Sequence, residues 1–285
     1  HLIFSNNGQT KRQQFHEFKF KVRRHFQKIK HDFQFKALEY CLLLLIVTFG
    51  VIYFSYGAFQ VHTYGSYDVF THHGWVNEML KGTIFPDGIY PMGMHCFIYS
   101  LNALFGIRVY NIMIFLQCIH IITFLLSAYA LLREIFYWRF TPLFVLALFL
   151  TINVNRYHGM YRLPLTLPME FGLHTQFLCA LFFIRYMKNA KSIVRRGKKS
   201  KLFWDADLLV FAMALAASVI SHYYVTIMAF IACVSFALFY CKKLVDSKYL
   251  IPLMLSAGCG CLIAMLGVIG ALASGIPFQG SIRWG

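Results

Sequence analysis

The chain has 285 residues, 59% of them apolar and only 13% charged, with a mean hydropathy of +0.58. Water-soluble domains are roughly half apolar and a quarter charged, so this balance excludes an ordinary soluble domain and predicts an all-α polytopic membrane protein. The formal charge of +16 does not imply nucleic acid, and no nucleic-acid partner is expected, because Lys and Arg sit in hydrophilic stretches beside apolar runs, as cytoplasmic retention of positive charge produces.

Residues 1–10 carry no pattern. From Phe15, the positions Phe15, Phe18, Val22, Phe26, Ile29 and Phe33 recur at helical spacing, with Lys19, Arg23, Arg24, Lys28 and Lys30 between them. Residues 1–36 therefore predict a basic amphipathic cytoplasmic arm lying on an anionic leaflet. The other reading, a helix of a soluble cytosolic domain, finds no further residues to complete that domain. The remainder, 37–285, is the predicted transmembrane core.

Residues 37–56 suffice for a first crossing of a roughly 30 Å hydrocarbon layer at about 1.5 Å per residue. Further apolar runs lie at 109–132, 139–154, 171–187, 207–221, 224–240 and 250–274. The run 91–106 is shorter, and charge decides its placement. The most basic loop, Lys188–Lys201, and the segment Lys242–Lys248 belong inside. That holds only if 91–106 lies at the outer interface as a juxtamembrane helix. About seven crossings result, with a first outer loop at 57–108, a second at 155–170, an outer turn at Ser221–Tyr224 and an outer segment from Gly275. The chain starts at His1 without a Met and stops in a polar stretch, as expected of the ordered or the N-terminal part of a longer protein.

Within the first outer loop, the stretch Tyr67–His95 gathers Asp68, His72, His73, Glu78, Asp87 and His95 between spans made of Leu, Ile, Phe and Val. Asp68 has two readings: a carboxylate that does acid/base work, or the N-cap of a helix over 68–81. His72 lies one turn further on, within hydrogen-bonding reach of Asp68. His72, His73, His95, His158, His174 and His222 all map to the outer side. Imidazoles so gathered suit a divalent metal, although no HxxxH or HExxH pair occurs, and a single His commonly serves as an interfacial hydrogen-bonder. The second outer loop carries Arg156, His158, Arg162 and Glu170. Its arginines suit phosphate or the anchoring of headgroups. His222 is either a polar group with a task or part of an aromatic belt with Tyr223 and Tyr224. Eight cysteines without a CxxC pair give no disulfide framework. Gly258, Gly260, Gly267 and Gly270 predict close helix packing in the last span.

Asp68, His72, Met79-Leu80-Lys81-Gly82, Pro86, Tyr90-Pro91 and Leu104-Phe105-Gly106 follow one another as in the first outer loop of GT-C glycosyltransferases. The segment Tyr90-Pro91-Met92-Gly93-Met94-His95 resembles uncharacterised bacterial multi-pass members of that superfamily. The resemblance covers about a tenth of the chain. It implies a GT-C-like helical bundle in a bacterial cytoplasmic membrane. The implied reaction moves a sugar from a polyprenyl-phosphate donor to a glycan, lipid or protein acceptor of the cell envelope on the extracytoplasmic face. It places Asp68 at the catalytic acidic position. The chemistry of the residues themselves suggests His72 as its partner, Arg156 and Arg162 as phosphate binders, His95 and Glu170 as lining of the cleft, and His73, His158 and His222 as further substrate-binding candidates. In oligosaccharyltransferases the second loop bears paired acidic residues, whereas here Glu170 stands alone. A transporter or lipid flippase, and a GT-C-like subunit without activity, are the competing classes. An outer cleft joining Asp68 to a lateral opening favours transfer; a pore through the bundle favours transport.

Overall fold

A computed structural model describes residues 11–62, 64, 66–154, 162–195 and 205–280. Two compact units emerge, His1–Leu45 and Ile46–Gly285. The described part of the first is helical, within α1 (Lys11–Val61).

The second unit begins in the last turns of α1 and continues through α2 (Tyr67–Leu80), α3 (Gly93–Phe105), α4 (Val109–Ile135), α5 (Thr141–Val154), α6 (Pro168–Arg195), α7 (Ala206–Ser221), α8 (Tyr223–Phe239), the single turn α9 (Cys241–Leu244) and α10 (Ser247–Ala273). No strand occurs among the described residues beyond one isolated bridge, Ile89 with Phe278. Three helical stretches, Gln34–Gln60, Val109–Ile135 and Ser247–Ala273, are long and apolar enough to cross a membrane. The apolar helices α5, α7 and α8 are shorter.

Helix α6 is the hub, packed on α4, α7 and α8, while α10 packs on α7. Its inward face, Cys179, Ala180, Phe183, Ile184 and Met187, meets Leu208, Phe211 and Ala214 of α7 in one core. Among apolar helices such contacts are held by close van der Waals fit and small residues. Of the four glycines in α10 read as a packing stripe, only Gly260 has that role. A Cβ there would stand 2.5 Å from the Ala212 carbonyl oxygen, whereas Gly258, Gly267 and Gly270 have no such neighbour within 4 Å. Gly260→Ala is expected to cost about 1–3 kcal/mol through overpacking. Gly258→Ala should be neutral, and thermal unfolding of the two variants in detergent separates them.

A second core lies under α2 and α3, where Val69, Val76, Met94 and Ile98 pack on Ile112, Met113 and Leu116 at the start of α4. Helix α3 has 13 residues, about 20 Å at 1.5 Å per residue and short of a hydrocarbon layer. Gly93, at its start, abuts the backbone of Ile220 near the end of α7. From its end the chain turns at Gly106 into α4, which shares the core under α2. Both ends of α3 thus lie at one end of the bundle, so 91–106 does not thread through it. At the other end, the Glu134 carboxylate bridges Arg185 (3.3 Å) and Lys188 (2.6 Å), and Lys243 donates to the Met187 carbonyl. The segments read from charge as inner meet there.

Candidate functional site

The remaining connections meet at the end of the bundle that holds α2 and α3. Helix α2 begins after Ser66, which occupies the N-cap position, so Asp68 is not the cap. It sits in the first turn, where its charge complements the helix dipole, and it is exposed. The second connection is pinned to α4 by Thr166, which donates to the Met113 carbonyl (2.5 Å), and by His120, whose Nε2 meets the Leu163 carbonyl (2.7 Å). That anchoring places Arg162 beside Glu170 in the first turn of α6, with Nε 3.0 Å from Oε1. His222 caps α8 between α7 and α8, its Nδ1 accepting from the Tyr224 amide at 3.2 Å.

After α10 the chain turns at Gly275 and runs back as a strap along the first loop. Ile89 donates to the Pro277 carbonyl (2.8 Å) and accepts from the Gln279 amide (3.0 Å). Gly88 permits this approach: its φ of 103° suits glycine, and a Cβ would lie 2.8 Å from the Pro277 oxygen. Across the loop, the Trp75 indole N–H donates to the Asp87 carboxylate at 2.5 Å.

These segments enclose a polar cavity of about 230 Å³ lined by Asp68, Thr71, His72, Tyr90, Arg162, Glu170, His222 and Gln279, among others. Beside it runs an apolar groove of about 730 Å³ between the 84–93 loop, α3, α7, α8 and α10. The two share Tyr90 and are flanked by adjacent residues on opposite sides: His222 faces the cavity and Tyr223 the groove, Gln279 the cavity and Phe278 the groove.

Burial controls the charges. Glu170 is 2% exposed, and its Oε2 is buried without a hydrogen-bond partner. Burial raises its carboxyl above the usual range, against the pull of Arg162. Burial likewise pushes His72 down to about 4, opposed by Asp68, and His222 to about 4, helped by Arg162. His95, wholly buried, is held well below the ordinary imidazole value by burial and then by His72.

The sign of the resulting pH dependence follows. Unfolded histidines take up protons near pH 6.5, while folded His72 and His222 resist until about 4 and His95 stays well below its ordinary value, so stability is full above about 6.5 and declines as pH falls towards 4. Glu170 works the other way, with one group against three. The thermal midpoint in detergent is expected to drop between pH 7 and pH 4; a flat profile contradicts the buried neutral histidines.

Of the residues singled out in the sequence, Asp68, His72, Arg162, Glu170 and His222 line the cavity. Arg156 and His158 lie outside the described residues. His73 points elsewhere, its ring edge-on to Tyr64 at 5.7 Å, because adjacent helix positions are about 100° apart. His95 stands behind the wall, hydrogen-bonded to His72 (His72 Nδ1 to His95 Nε2, 2.9 Å). His72 thus bonds to His95 rather than to Asp68 as its spacing suggested. Thr71, Tyr90 and Gln279 were not anticipated as lining residues. Tyr90 was visible only as part of the Tyr-Pro pair, and Gln279 carries no local signal because a backbone bridge from afar puts it there.

No three His, Cys, Asp or Glu side chains converge on a common point among the described residues. The Nδ1 atoms of His72 and His222 and Oε1 of Glu170 already have partners. No family model, curated protein or solved structure matches the chain.

Proposed function

We propose that this protein is an integral-membrane glycosyltransferase of GT-C type. It transfers a sugar from a polyprenyl-phosphate donor to a glycan, lipid or protein acceptor at the extracytoplasmic face of a cell membrane. One observation carries the reading: a polar cavity holding carboxylates, imidazoles and an arginine adjoins a long apolar groove along a shared wall. A donor with an anionic head and an isoprenoid tail has that shape and polarity. In this reading α1, α4 to α8 and α10 make seven crossings, and α2 and α3 rest at the outer interface.

The chemistry follows from the lining. An acceptor hydroxyl gives its proton to the Asp68 carboxylate as its oxygen bonds to the anomeric carbon. The bond from that carbon to the phosphate oxygen breaks, and the phosphate departs with the electron pair. Arg162 spends Nε on Glu170, leaving its terminal nitrogens for the leaving phosphate through charge-assisted hydrogen bonds. The unpartnered Oε2 of Glu170 suits a hydroxyl of the sugar or acceptor.

Lipid extracted from the purified protein tests the reading. Mass spectrometry is expected to find a polyprenyl phosphate; bulk phospholipid alone would count against it. Gly267 lines the groove and has open space where a Cβ would go. Gly267→Phe should fill the groove, leave folding intact and reduce the bound polyprenyl phosphate at least about fivefold, because a bulky ring takes space from the tail.

A further inference from the structure

We propose that His72 and His222 form an oxyanion-binding pair of neutral N–H donors, each with its proton fixed on Nε2 by a hydrogen bond at Nδ1, and that His95 is the positioning residue for the first. The inference rests on the reading of the cavity as a phosphate site and gives that site its donors.

The Nδ1 of His222 receives the Tyr224 backbone N–H. A backbone amide nitrogen only donates, so Nδ1 bears a lone pair, and the single proton of the neutral ring lies on Nε2. His222 lines the cavity, and Nε2–H is the donor it has left to offer.

For His72 two arrangements satisfy the 2.9 Å contact with His95. In one, His72 Nδ1–H donates to His95 Nε2. The proton of His95 must then sit on its own Nδ1, which is buried and has no partner. The rings packed around His95 include Trp75 at 5.5 Å and Tyr90 at 6.3 Å. In the other, His95 Nε2–H donates to His72 Nδ1, and the partnerless Nδ1 of His95 carries only a lone pair. A buried N–H without an acceptor is rarer in proteins and more costly than an acceptor short of one donor. The second arrangement therefore wins, and it places the remaining His72 proton on Nε2. A doubly protonated His95 would resolve the contact differently, but it would put an unpaired charge at a position with no exposure.

The consequence is chemical. Both rings stay uncharged at neutral pH and still donate, so they can hold a phosphate oxygen without attracting Asp68 or Glu170 as imidazolium ions would. His72 is then a phosphate-facing donor with no lone pair free at Nε2, and the acceptor proton falls to Asp68 alone.

The test has two arms. In micelles, protein labelled with ¹⁵N-histidine is assigned with His72→Gln and His222→Gln. The nitrogen spectra at pH 7 should show protonated Nε2 and bare Nδ1 at both positions; a proton on Nδ1 of His72 overturns the inference. In the second arm, dodecyl phosphate, which has an anionic head and an apolar chain, is titrated into wild-type and variant protein. His95→Gln keeps an N–H near the Nε2 position and should bind within about threefold of wild type, whereas His95→Leu should weaken binding at least about tenfold, the scale of one hydrogen bond to a charged group. Equal binding by His95→Leu, or none by the wild type, overturns the site. Should His95→Leu fail to fold, the wild-type spectrum and titration still decide. Protein with these tautomers and this binding, yet without sugar transfer, would remove the glycosyltransferase reading and leave the oxyanion pair standing.

Discussion

Asp68→Asn is expected to fold like the wild type and, on the proposed glycosyltransferase reading, to transfer sugar at least about a hundredfold more slowly, the lower end of what a positioned acid/base group contributes. The two halves of that expectation have separate grounds. Structurally, Asp68 is exposed and Ser66 occupies the cap position, so the substitution forfeits only a favourable charge near the start of α2, worth about 0.3–1 kcal/mol. Chemically, it removes the exposed carboxylate of the cavity; Glu170, the other one, is buried and bound to Arg162. Transfer from a polyprenyl-phosphate sugar in proteoliposomes measures the loss. A well-folded variant running at the wild-type rate would take Asp68 out of the chemistry.

Arg162→Leu is expected to destabilise the protein by about 3 kcal/mol at pH 8, the low end for breaking a buried ion pair. The low end applies because the Arg162 side chain is 46% exposed while that of Glu170 is 1% exposed. Loss of the guanidinium leaves a buried carboxylate with neither oxygen satisfied by a cation. Since burial already raises the Glu170 carboxyl above its usual range, removal of Arg162 raises it further, and the group sheds its charge as pH falls. The deficit should therefore shrink between pH 8 and pH 5. The double variant Arg162→Leu, Glu170→Leu should recover most of the stability while still failing to bind a phosphate head. Thermal unfolding across pH reads the three stability outcomes, and titration with dodecyl phosphate reads the binding. A single variant as stable as wild type at pH 8 would mean that the pair is not holding the second connection to α6.

Much of the frame was legible in the sequence because apolar runs of sufficient length become helices almost regardless of context. Residues 109–132 fall within α4, and 250–274 match α10 to within three residues at its start and one at its end. The placement of 91–106 came from counting charge; the structure shows a helix of 13 residues there, α3. Site residues were legible where one titratable group stood out from apolar surroundings, as Asp68, Glu170 and His222 do. What sequence could not convey was direction. His72 and His73 are adjacent, yet one reaches the cavity and the other Tyr64. His95 belongs to the motif but serves behind the wall. The glycine stripe of α10 indicated capacity for close approach; which glycine uses it depends on where Ala212 arrives. Gln279 reaches the cavity through main-chain hydrogen bonds, which leave no trace in side-chain pattern.

The bridge between Ile89 and Phe278 also has a bearing on biogenesis. It ties the connection between α2 and α3 to residues that leave the ribosome nearly two hundred positions later, and closing so long a span carries a larger entropic cost than any contact within a helical hairpin. The cavity wall therefore stays open while the chain is being synthesised. Only once α10 and the residues after it are in place is the cavity lined by Gln279 complete.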